Sequence, residues 1–345
     1  MDHMSSMPQQ SQAPSPALIF DTLNAYMRSE ALRGAIELDL FTAIAEGNRT
    51  APSIAARIKA SEKGTRVLCD FLTVIGFLAK QNNEYNLTPD SALFLNRNSP
   101  AYLGTIADFL VKINEEMGSF RDMAAVVRKG GTVISDEGTV SPDNPLWVNF
   151  AHNMAPLMAM PAELIAKMIG ADAAAPSKVL DIAAGHGLFG IAIAKHNPNA
   201  RIVAVDWAAV LEVAKENAQK AGVSARHSSI PGSAFEVDLG TGYDIVLLTN
   251  FLHHFDVATN EGLLRKIHAA MSPGGRVVTA EFIPNEDRVS PPMDAMFAMM
   301  MLGGTAGGDA YTFSEYDQMF RNAGFARSEM RELSPLPNRV IVSYK

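Results

Sequence analysis

The sequence predicts an α/β fold in which a mostly parallel sheet, covered on both faces by helices, follows a smaller helical module. Three observations carry this. From Lys178 onward, short runs of Val, Ile, Leu and Ala alternate with helical stretches, the pattern of a parallel sheet with crossover helices. Ahead of them, apolar residues recur at three-and-four spacing over much of residues 17–78. Finally, 345 residues with 48% hydrophobic and 19% charged side chains suffice for two cores with little disorder.

Taken in order, residues 1–16 are rich in Gln, Ser and Pro and lack the charged start and apolar run of a secretory signal. They read as a disordered or appended arm. Residues 17–110 form the front module. Leu23, Tyr26, Met27, Leu32, Ala35, Ile36, Leu40 and Phe41 follow helical spacing, Thr50 caps a short helix, and a further helix is expected over Thr65 to Ala79. The stretch KQNNEYNLTP (Lys80 to Pro89) then reads as a turn between two short strands.

Three helices followed by a small wing is the winged-helix order, which serves either DNA binding or packing and dimerisation. Charge favours the second. There are 29 Lys and Arg against 37 Asp and Glu, a net charge of −8, which opposes broad contact with phosphate. A homodimer through this module is therefore expected, with Leu23, Tyr26, Leu40, Phe41 and Leu72 offering apolar surface. No nucleic acid or membrane partner is expected, since no apolar run approaches the roughly 20 residues of a membrane span. The single cysteine, Cys69, excludes an intrachain disulfide and suits a reducing, cytoplasmic setting.

Residues 101–129 and 145–170 read as further helices, the second rich in Met (Met154, Met158, Met160, Met168). Residues 111–170 would link the front module to the back and contribute to a ligand pocket. GADAAAPSK (Gly170 to Lys178) has boundary composition, which leaves 171–345 as the α/β domain. Its strands are expected at 178–183, 201–206, 243–249, 276–282 and 339–344, with MSPGGRVV (Met271 to Val278) as a tight turn entering the fourth of them.

The candidate site begins at the first of these strands. Gly185-His-Gly-Leu-Phe-Gly190 satisfies the dinucleotide-loop pattern, and Asp206, 25 residues after Asp181, ends the next strand where it could hold a ribose. Asp181 at the mouth of the loop argues against pyrophosphate, because a fixed carboxylate repels it. S-Adenosylmethionine carries an ammonium and a sulfonium there instead. On this reading the glycines admit the cofactor, Asp181 complements its charged end and Asp206 binds its ribose hydroxyls.

With these residues in view, the region from Lys178 resembles the class I S-adenosylmethionine-dependent methyltransferases. From about Ala17 onward the whole chain resembles the small-molecule O-methyltransferases of plant and bacterial secondary metabolism. ELDLFTAI (Glu37 to Ile44), FAHNMA (Phe150 to Ala155), LHHFD (Leu252 to Asp256) and AGF (Ala323 to Phe325) stand in the family's order. The resemblance implies a winged-helix domain used for dimerisation, and cofactor contacts by Asp181, Gly185, Gly187, Asp206, Trp207, Ser233, Ala234, Phe235, Thr249 and Asn250. There are departures. Ala183 replaces a frequent Gly, Ser233 stands where an acid commonly meets the adenine, and Ala310 occupies the place of a second helper acid, beside Asp309.

Methyl transfer to a hydroxyl needs in-line approach and loss of the acceptor's proton, which a near-neutral histidine can take. The resemblance assigns that role to His253, with Glu281 orienting it; His254 follows where plant members tend to carry an acid. Phe150, Met154, His254, Met296, Met300 and Gly303 are candidates to line the acceptor pocket, although a methionine stripe serves equally as plain core. No His or carboxylate spacing suggests a metal. The expected activity is methylation of a small, aromatic hydroxylated metabolite. Alternatives are C- or N-methylation on the same scaffold, an NAD-linked oxidoreductase, or a winged-helix regulator that senses a ligand.

Overall fold

The computed structural model describes residues 14–345, apart from 108–109, 111–118, 137, 142–143, 171–174, 335 and 337. The chain divides into two compact units, Met1–Asp108 and Phe109–Lys345. The expected arm 1–16 therefore falls almost wholly outside the described residues. Much of the segment expected to be helical over 101–129 does too, its described part holding a 3₁₀ turn at Ser119–Asp122 and a helix at Met123–Lys129.

The first unit carries helices at Ala17–Leu23, Tyr26–Glu37, Leu40–Ala45, Ala51–Ile58 and Glu62–Val74, a hairpin of β1 (Leu78–Gln81) and β2 (Glu84–Leu87), and a helix at Pro89–Phe94. Thr50 caps as expected: its hydroxyl accepts from Ser53 N–H in a capping box, with Pro52 in the first turn. The helix anticipated from Thr65 begins three residues earlier and ends five earlier. Ser61 caps it by accepting from Gly64 N–H, and Leu78 onward pairs as strand instead. Asn82 and Asn83 both take left-handed φ, which a two-residue hairpin turn demands. Asp70 ties helix to wing, accepting from Lys80 Nζ at 2.6 Å and from Tyr85 Oη at 2.7 Å. Arg66 spends its charge on that same carboxylate. Cys69 is fully buried and free, and burial pushes its thiol up to about 12.

The second unit is built on a seven-stranded sheet of β3 (Ser177–Ile182), β4 (Ala200–Asp206), β5 (His227–Pro231), β6 (Tyr243–Thr249), β7 (Met271–Glu281), β8 (Arg327–Glu332) and β9 (Arg339–Tyr344), in the order β5-β4-β3-β6-β7-β9-β8. The first five in that order are parallel, and β9 pairs antiparallel with both β7 and β8. Two strands, β5 and β8, were not legible, because both are edge strands and mostly polar (HSSIP and RSEMRE). The Pro-Gly-Gly segment lies within β7 as an irregularity: Met271 already pairs with Tyr243, and register resumes at Arg276 opposite Ile245.

Two cores cover the sheet. Leu180, Ile182, Val246 and Leu248 face the helices at Val257–Ala270 and Phe313–Asn322. Val179, Ile202, Ile245 and Leu247 face those at Leu146–Met168 and Leu188–His196. The order reverses at β3, where β4 lies on one side and β6 on the other. Ligands of open α/β sheets bind at the carboxyl ends beside such a switch. No helix among the described residues is long and apolar enough to cross a membrane.

Candidate active site

At those carboxyl ends, the loops leaving four successive strands wall a cavity of about 500 Å³. Gly185 comes from the loop after β3, Asp206 and Trp207 from the end of β4, Ser233, Ala234 and Phe235 from the loop after β5, and Thr249 and Asn250 from the end of β6. These eight expected cofactor residues meet in one wall. Asp206 is held there by two backbone donors, Gly185 N–H at 2.8 Å and Trp207 N–H at 2.7 Å. Burial pushes its carboxyl up to about 6.

Asp181 and Gly187 do not line the cavity. Asp181 shares the face of β3 that carries Val179 and packs beneath the helix Leu188–His196. Its Oδ2 accepts from Gly190 N–H at 3.1 Å, while Oδ1 has no partner. Full burial raises the carboxyl to about 7. The acid thus holds the start of the helix and lies outside the cavity wall. Gly187 (φ 72°) caps the same helix, and a Cβ there would come within 2.9 Å of Ala214 Cβ; it is glycine for close packing against the next helix.

The loop after β6 makes a 3₁₀ turn at Leu252–His254, and Glu281, the last residue of β7, organises it. Glu281 Oε1 accepts from Phe251 N–H at 2.9 Å and Leu252 N–H at 2.8 Å, and Oε2 takes His253 Nδ1. Nδ1 of His253 is thereby the protonated nitrogen and Nε2 the free base. The ring is 3% exposed and set edge-on to Phe297, which stacks on Phe282. His253 adjoins the wall without being among its lining residues. The histidine in the wall itself is His254, its ring centroid 4.2 Å from that of His253.

Of the expected acceptor residues, Phe150 and His254 line the cavity and Met154, Met296, Met300 and Gly303 do not. Met296 is 68% exposed on the helix Pro292–Gly304, and a Cβ on Gly303 would face Phe120. Asp309 does not replace the helper acid absent at Ala310: its carboxylate pairs with Arg288 at 3.4 Å and accepts from Ala310 N–H.

Several residues of the site were missed. Lys266 Nζ donates to the carbonyls of Ala234, Phe235 and Val237 at 3.0, 2.9 and 2.6 Å, which pins the loop after β5. Asn260 Nδ2 reaches the carbonyls of Leu252 and Phe255 and holds the histidine turn from behind. His186, between the loop glycines, lines the cavity with Nδ1 accepting from Leu188 N–H, and burial lowers it to about 4. Trp147 lines the same cavity, edge-on to Phe150 and His254. Only His186 left a trace in the sequence, as an imidazole inside a glycine loop. Among the described residues, no group of three or more His, Cys, Asp or Glu could hold a metal ion.

Residues 150–326 match the profile of an O-methyltransferase domain, and residues 20–97 that of an O-methyltransferase dimerisation domain. A protein of Nostoc punctiforme PCC 73102 with a provisional O-methyltransferase assignment is 55% identical; its crystal structure superposes with a TM-score of 0.94 over 96% of this chain and 100% of that one. The 3-hydroxy-5-methyl-1-naphthoate 3-O-methyltransferase of Streptomyces sahachiroi is 27% identical over 96% of this chain and 95% of its own. The structure of PigF with SAH, 24% identical, shares the fold at a TM-score of 0.84 over 96% of this chain and 100% of that one.

Proposed function

Because the chain belongs to the S-adenosylmethionine-dependent O-methyltransferase family, we propose that it methylates a hydroxyl of a small aromatic metabolite. His253 is the general base and Glu281 its positioning residue. One observation carries this reading. The residues able to hold the cofactor converge on one cavity, and the carboxylate that shapes the adjoining turn also fixes the tautomer of His253.

The residues present fit the cofactor. Asp206 offers a carboxylate, already oriented by two N–H groups, to ribose hydroxyls, while Trp207, Phe235 and Phe255 offer flat apolar faces to a purine. When bound, S-adenosylmethionine supplies a methyl group on a sulfonium, open to in-line displacement. Trp147 and Phe150 orient a flat acceptor, and Nε2 of His253 takes its hydroxyl proton while Glu281 stabilises the resulting imidazolium. The naphthoate named for the Streptomyces sahachiroi relative is the kind of ring these walls suit. The front unit makes the homodimer: Leu18, Ile19, Phe20, Leu23 and Tyr26 lie 60–78% exposed in the single chain, more apolar surface than a monomer usually shows, whereas Leu40, Phe41 and Leu72, expected on that surface, are buried in the unit's own core.

Labelled methyl transfer onto a panel of phenols, naphthols, quinols and polyketide-like aromatics tests the reading. His253→Ala should leave S-adenosylhomocysteine affinity intact and slow turnover by about 10²- to 10⁴-fold, with Glu281→Gln milder and shifting the pH profile. Asp206→Ala should cost about 1–3 kcal/mol of cofactor affinity. Full turnover by His253→Ala, or label on carbon or nitrogen of the product, would overturn the assignment.

A further inference from the structure

The cavity wall holds a second imidazole whose hydrogen-bonding state is fixed by its surroundings. His254 Nδ1 lies 3.1 Å from the carbonyl oxygen of Phe251, which can only accept, so Nδ1 carries the hydrogen. Burial and the neighbouring His253 hold the ring well below its ordinary pKa, and it stays neutral. Nε2 is therefore a lone pair, and the hydrogen bond that the ring makes among the described residues is the one at Nδ1. The ring is also immobilised. Trp147 packs edge-on at 5.3 Å, Asn260 clamps the carbonyls on either side of the histidine pair, and Tyr311 Oη donates to Phe255 O at 2.7 Å.

We propose that His254 is a specificity residue whose Nε2 selects acceptors carrying a second hydrogen-bond donor, a hydroxyl or N–H, beside the hydroxyl that is methylated. The proposal rests on the hydroxyl-methylating reading above. The two histidine rings lie 4.2 Å apart and tilted by 36°, each with Nδ1 committed to a neighbour. An arene that presents one hydroxyl to His253 brings its neighbouring substituent to His254. A hydroxyl or N–H there pairs with the lone pair. A ring hydrogen leaves a desolvated acceptor unpaired, and an ether oxygen sets lone pair against lone pair. Discrimination of about 10- to 100-fold is the usual scale for one such unpaired group.

Calorimetric titration of the full-length protein, saturated with S-adenosylhomocysteine, with 2,3-dihydroxynaphthalene and with 2-naphthol is the test. The diol should bind at least tenfold more tightly. His254→Phe keeps a flat ring of similar size and should weaken the diol alone, bringing both arenes to equal affinity with S-adenosylhomocysteine binding unchanged. His254→Gln, which retains an acceptor near the position of Nε2, should restore part of the preference. Equal affinities in the parent, no affinity for either arene, or a preference that survives His254→Phe each overturns the assignment. These titrations involve no proton transfer, so failure of His253 as base would appear only in the turnover of His253→Ala and leave this outcome untouched.

Discussion

Asp181 shows how one carboxylate changes meaning with its surroundings. In the sequence it is the acid at the mouth of a glycine loop; in the fold it is fully buried, with one oxygen on Gly190 N–H and the other unpartnered. A buried carboxyl favours its neutral form, and this one is raised from 3.8 to about 7. The folded protein then binds that proton more tightly than the unfolded chain does. Its stabilising contribution is fully present below about pH 4 and is lost as pH rises through 7. His186, lowered from 6.5 to about 4 by burial, acts with the opposite sign, losing stability as pH falls below its unfolded value. Thermal melts of the parent and of Asp181→Asn between pH 5 and 8 isolate the carboxyl: the parent should lose more stability toward pH 8 than the variant does. Parallel curves would remove Asp181 as a titrating group.

Among the elements, the loops after β3 and β5 wall the cavity by different means. The first is held by close packing. Ala183 takes a left-handed φ of 51° that L residues adopt at a cost, and Gly187 brings the helix it caps against Ala214. Gly187→Ala combines a strained φ with a 2.9 Å approach and should destabilise by about 1–3 kcal/mol, read from denaturant unfolding. The second loop is held by charge. Lys266, on the helix Val257–Ala270, donates to three carbonyls of 234–237. Lys266→Met keeps the stem and removes the donors, leaving partly buried carbonyls unpaired. Cofactor affinity should fall about tenfold or more while turnover at saturation changes little, and unchanged affinity would show that the loop holds its shape unaided.

Assembly follows from what the helices of the first unit leave uncovered. The helix Ala17–Leu23 buries none of its residues within the chain, yet Leu18, Ile19, Phe20 and Leu23 lie on it, followed by Tyr26 and Met27. Isolated, so short a helix is marginal in water, and in the homodimer proposed above a second copy of the same surface supplies the burial it needs. Leu23→Glu combined with Phe20→Glu should shift light scattering from dimer to monomer at micromolar concentration. A dimer that persists in the double variant would place the interface elsewhere.

Periodicity and composition alone determined the two-part organisation, the α/β class and five of the seven sheet strands, because core-facing apolar runs are local signals. Asp206 was marked by its place at a strand end, legible where an apolar run stops at a polar residue, whereas His253 and Glu281 were assigned by the family resemblance. Three-dimensional packing decided the rest. Lys266 and Asn260 act on loops 29 to 32 and 5 to 8 residues away, and nothing in a helical pattern distinguishes a side chain that turns inward to carbonyls from one facing water. Which of two adjacent histidines enters the cavity wall also lay beyond the sequence. His253 and His254 are identical in chemistry, and the difference between them comes from Glu281 and Phe251, one brought in by a neighbouring strand and the other by a single turn of backbone. Edge strands β5 and β8 stayed hidden because a strand is recognised by the face it buries, and these bury little.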